Sequence, residues 1–194
     1  MMELFRVFSL IALSRNGPQD LPASPILLGL TVVGFYLVNF GINLVLPSEE
    51  SWHLHLVVEV AFTLAWYAVL LRAFGKSERF LQTATAMFGY QLVLAPLSIA
   101  TLYLSRRFGE DPVLQFPVVV IGLAIAIWVI RAGGYVLKAA LELPMIACVV
   151  LILLQVLAGQ LVLVAVTPDA AETPSHPAPK DAVHEVVPAP AIGE

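Results

Sequence analysis

The residues best placed to do chemistry in this chain are an imidazole and a carboxyl four positions apart, His55 and Glu59, inside a stretch that is otherwise apolar. Four-residue spacing puts both on one helix face. An ionisable side chain inside a membrane span costs ~2.5–3.5 kcal/mol on insertion scales, so such a residue asks for a reason. Two reasons are open: with Trp52 and His53 the pair could hold or pass a proton or cation, or Glu59 could bond to a neighbouring helix as structural glue. Asn39 and Asn43, also four apart, and Gln91 offer amides that either tie helices together or line a hydrophilic path. Gln155 and Gln160 are read as packing residues. Lys138 and Glu142 have the spacing of an intrahelical ion pair.

Other chemistries find no residues. Gly75-Lys76-Ser77 resembles part of a phosphate loop, but position 70 is Leu where that loop needs Gly, and the flanks are apolar helices. The triplet is better read as a basic turn with Ser77 capping the next helix. The histidines His53, His55, His176 and His184 lack metal-ligand spacing with acids or thiols, so no metal or other cofactor is expected. The lone Cys148 cannot form an intramolecular disulfide and suits a small buried hydrophobe. No Gly-x-Ser-x-Gly or His-Glu-x-x-His pattern occurs, and no basic patch with interleaved aromatics. The expectation is no enzyme activity, no nucleotide and no nucleic-acid partner.

The elements that must position these residues are five long apolar runs, roughly 25–46, 55–73, 80–104, 113–130 and 139–166. Each is near or above the ~20 residues a helix needs to cross a bilayer. Phe116–Ile130 and Met145–Leu154 are apolar on every face, unlike a helix with one side in water. A composition 59% hydrophobic and 12% charged agrees. The predicted fold is all-α, a polytopic membrane bundle of five transmembrane helices over residues 25–166. Residues 1–24 precede it, with a short helix in Met1–Leu13 expected at the membrane surface and retained in the mature chain. Residues 167–194, with six prolines and several acids, read as a disordered tether.

Proline and glycine punctuate the runs: Pro25 opens the first, Pro47 closes it, and Pro112 and Pro117 flank the start of the fourth. Gly133-Gly134 is expected to break the chain before the fifth. Pro96 and Pro144 fall inside spans and should kink them. An N-inside, C-outside orientation puts Arg6, Arg15, Arg72, Lys76, Arg79, Arg131 and Lys138 inside, against Arg106, Arg107 and Lys180 outside, a split of 7 to 3.

Around the second loop and third span the chain reads Arg72-Ala73-Phe74-Gly75-Lys76-Ser77-Glu78-Arg79-Phe80, then Phe88-Gly89-Tyr90 and Ala95-Pro96-Leu97. With the five-span layout, these residues resemble bacterial members of the Yip family of Ypt/Rab-interacting membrane proteins, over roughly residues 20–166. Eukaryotic members carry Asp-Leu-Tyr-Gly-Pro before the first span, where this chain has Gly17-Pro18-Gln19-Asp20-Leu21-Pro22. Their long acidic N-terminal region is missing, so Rab binding does not carry over. The short loops and the missing eukaryotic N-terminal region suggest a bacterial inner-membrane protein.

Two functions follow. The first is an organiser or accessory subunit whose partners are the lipid bilayer and other membrane proteins, or further copies of itself. The second is a small transporter or channel subunit using Glu59, His55, Asn39, Asn43 and Gln91; no inverted repeat is evident to support it.

Overall fold

A computed structural model describes residues 2–45, 52–108 and 112–166. The proposed tether at 167–194 and Pro47, expected to close the first span, lie outside them. Among the described residues every regular element is helical: α1 (Met2–Ala12), α2 (Pro25–Val45), α3 (Trp52–Ala73), α4 (Phe80–Phe108), α5 (Pro112–Leu141) and α6 (Met145–Val166), with short 3-10 turns at Pro18–Asp20 and Ser77–Arg79. The five helices α2 to α6 are long and apolar enough to cross a membrane. The expected all-α architecture of a polytopic integral membrane protein is therefore present.

α4 is the central helix, packed against α1, α2, α3 and α5. Its run Thr83–Tyr90 is fully buried, and the small residues Ala84, Ala86 and Gly89 in it let neighbours approach closely. A Cβ on Gly89 would collide with the ring of Phe8. On the α2 side, Phe35 meets Phe88 edge-on at 5.5 Å between centroids. Pro25 stands at the first position of α2, and the Leu27 amide donates to the Ser24 hydroxyl just before it at 3.4 Å.

The helix in the N-terminal segment packs into the bundle. Its Phe8, Ile11 and Ala12 are buried against α4 and α5, while Phe5, Arg6 and Leu13 are exposed. Two hydrogen bonds from the spans hold this segment. Trp128 Nε1 donates to the Ala12 carbonyl at 2.8 Å, and Gln82 Nε2 to the Leu21 carbonyl at 2.8 Å.

The last hairpin differs from expectation. Gly133-Gly134 does not end a helix; both residues are buried inside α5, which runs on to Leu141. A Cβ at Gly133 would lie 2.8 Å from Ile152 Cδ1 and 3.0 Å from Tyr90 Oη, and one at Gly134 3.1 Å from Met145 Cε. The pair is there so that α5 can press against α6 and α4. Glycine breaks helices by yielding its backbone to water, a competitor missing from an apolar interior. The break falls instead at Glu142–Pro144, where Glu142 takes a φ of +60°. Pro144 thus precedes its span, and Arg131 and Lys138 sit on α5 itself. Pro96 does lie within α4.

Glu142 does not pair with Lys138. Its left-handed backbone turns the carboxylate off the helix face, toward Lys76 Nζ at 3.0 Å and Arg79 Nη2 at 2.9 Å. These two cations hold the Glu142 carboxyl below its usual range, the hydrogen bond from Lys76 being the larger cause. Arg79 Nη1 also donates to the carbonyls of Ala139 and Ala140, at 3.1 Å each, capping the end of α5 where the helix dipole is negative. Ser77 makes no side-chain cap; Lys76 is the residue before the 3-10 turn that leads into α4.

Candidate functional site

α3 presents His55, Glu59, Phe62 and Thr63 at helical spacing, and α6 presents Gln155, Val156, Gly159, Gln160 and Leu163 opposite them. Between the two rows is a groove of about 210 Å³. Gly159 shapes it: a Cβ there would come within 3.3 Å of the Phe62 ring, so the missing side chain lets α3 settle close to α6.

The floor of the groove is polar and paired. The buried Tyr67 hydroxyl donates to Gln155 Oε1 at 2.6 Å, and Gln155 Nε2 donates to Thr63 Oγ1 at 3.5 Å. In an apolar interior such groups must find partners within the protein. The lip is different. Glu59 and Gln160 are exposed on the side of the bundle, and neither makes a hydrogen bond or ion pair among the described residues.

Of the five residues singled out from the sequence, the groove brings together Glu59 and His55. Asn39, on α2, donates to the Phe35 carbonyl of its own helix at 2.8 Å. Asn43 lies in the last turn of α2, and Gln91 is half-buried on α4. None of these three lines the groove. His53 also parts from Glu59. Two residues from His55, it points to the opposite side of α3, where its Nδ1 meets the Tyr36 hydroxyl at 2.8 Å beside Trp52 and Phe40.

Sequence reasoning missed the α6 half of the site. Gln155 and Gln160 both line the groove, with Gly159 between them in sequence, and two amides in an otherwise apolar span were the available signal. No three His, Cys, Asp or Glu side chains converge as metal ligands among the described residues.

All ten lining residues belong to α3 and α6. The groove is therefore a lateral furrow between two helices. The centre of the bundle is filled by Met87, Tyr90 and Leu94 of α4 packed on Tyr67, Val136 and Ile152. No family model, curated protein or solved structure matches the chain.

Proposed function

We propose that this chain is a non-enzymatic integral membrane protein that acts as an organiser or accessory subunit, binding membrane partners side-on through the α3–α6 groove. One observation carries this reading: Glu59 stands at the lip of a lateral groove with no partner among the described residues. A carboxyl facing hydrocarbon is costly in either protonation state, and a donor supplied by another membrane helix would satisfy it. The transporter alternative needs a polar path through the bundle or an oligomer, and the groove's two-helix lining favours it less. A bacterial inner-membrane location, with the N-terminus and the basic turn Arg72–Arg79 inside, completes the proposal.

The test is purification of the full chain in mild detergent followed by mass spectrometry. Membrane proteins, or further copies of the chain, should be recovered with the parent protein and with Glu59→Gln, and lost with Glu59→Leu. Recovery of the parent as a bare monomer would contradict the reading.

A further inference from the structure

We infer that the α3–α6 groove is the interface of a two-fold homodimer, in which each copy's Glu59 accepts a hydrogen bond from the partner's Gln160. The inference rests on the groove being a contact surface and adds the identity of the occupant.

Height in the membrane is the first argument. Phe62 lies against Gly159, where a Cβ would be 3.3 Å from its ring. Further along the chain the contacts shift in opposite senses on the two helices, Gln155 meeting Thr63 and Tyr67, so α3 and α6 run antiparallel. From the Phe62–Gly159 level, Glu59 is three residues toward the Trp52 end of α3, and Gln160 one residue toward the Val166 end of α6. At about 1.5 Å of rise per residue, the two Cα atoms differ in height by about 3 Å. A two-fold axis along the membrane normal preserves height. Where α3 of one copy meets α6 of the other about such an axis, Glu59 and Gln160 therefore stay within about 3 Å of one height, inside the reach of their side chains.

Complementarity is the second argument. An isologous interface needs a surface that matches itself, residue i meeting j while j meets i. Glu59 supplies an acceptor and Gln160 an amide donor, and neither has a partner within the described chain. One symmetric contact satisfies both pairs at once. A lone helix from an unrelated protein would need two matching groups at the same height.

The surroundings suit helix contact. Val156 and Leu157 present apolar side chains beside the groove, 53% and 63% exposed. α6 packs on α3 and α5, leaving its remaining face open.

The experiment uses the full chain reconstituted at low density in phospholipid vesicles, with Cys148→Ala removing the buried native thiol. Val156→Cys in that background should cross-link to a covalent dimer under mild oxidation. Val119→Cys, on the exposed side of α5, should not. Gln160→Glu sets carboxyls against carboxyls and should weaken dimerisation about tenfold, the weight of two interhelical hydrogen bonds. Adding Glu59→Gln to Gln160→Glu exchanges donor and acceptor and should restore the dimer. A dimer that cross-links through Val119→Cys, or one indifferent to both exchanges, would overturn the assignment. A monomer that still recovers a different membrane protein through Glu59 would overturn the homodimer and leave the accessory-subunit reading standing. A monomer with no partner would overturn both.

Discussion

Arg79 and Glu142 meet at 2.9 Å, joining the turn before α4 to the turn before α6. Arg79 reaches further, to the carbonyls of Ala139 and Ala140, so one guanidinium serves an acid and a helix end together. Removing it in Arg79→Ala should lower stability in detergent by about 1 kcal/mol through the lost cap. Arg79→Lys, a point charge without the planar fork, should recover only part. Thermal melting of the two variants checks this.

The same contact sets a pH dependence. The Glu142 carboxyl is lowered from the usual 4.5 by Lys76 and Arg79, so the folded state holds its anion more tightly than the unfolded state does. That stabilisation is fully present above pH 4.5 and is lost as pH falls through the lowered folded value. Glu142→Gln should melt lower at neutral pH and should lack this part of the acid-induced loss. Parallel melting curves from pH 7 downward separate it from other carboxyls.

Two glycines of the spans make a matched comparison. Gly133→Ala forces a methyl to 2.8 Å from Ile152 Cδ1, so an over-packing penalty of roughly 1–3 kcal/mol is expected. Gly41→Ala, where nothing lies within 4 Å, should be neutral or slightly stabilising. Equal melting temperatures for the two variants would show that α5 and α6 are not in close contact at Gly133.

The groove floor should prove structural. Gln155→Leu leaves the buried Tyr67 hydroxyl without its acceptor and should cost about 1–3 kcal/mol. Adding Tyr67→Phe removes the orphaned group and should recover much of that loss. Denaturation of the single and double variants measures the coupling.

Much of the fold was legible because a bilayer asks every span for the same thing, an unbroken apolar helix of sufficient length. Pro25 opens α2 as expected, and five runs became five helices. What failed were readings borrowed from water. Gly133-Gly134 looked like a break because glycine frays helices in solvent; packed against Ile152 and Met145 it is a contact surface. Lys138 and Glu142 looked paired because i and i+4 share a face, a rule that lapses where Glu142 turns left-handed. Half of the candidate site was visible, since the helical spacing of His55 and Glu59 is local. The other half belongs to α6, and which face of α6 meets α3 depends on packing that no single stretch of sequence encodes. Asn39 shows the converse: an amide suited to bridging helices satisfied itself on Phe35 one turn away.

The proposed N-inside, C-outside orientation rests on the 7 to 3 distribution of Arg and Lys. A reporter active only outside the cytoplasm should be active when fused after residue 166 and silent when fused at Lys76. The opposite pattern would invert the proposed topology.

The central claim is that Glu59 marks a contact face, and proton or cation flux in sealed vesicles tests it most directly. The account predicts no flux above protein-free vesicles for the parent protein, with Glu59→Gln retaining fold and partner binding because its amide keeps the carboxyl's shape and hydrogen-bonding capacity. Flux driven by a pH or cation gradient in the parent, abolished by Glu59→Gln while the fold is intact, would contradict the account and make the groove part of a transport path.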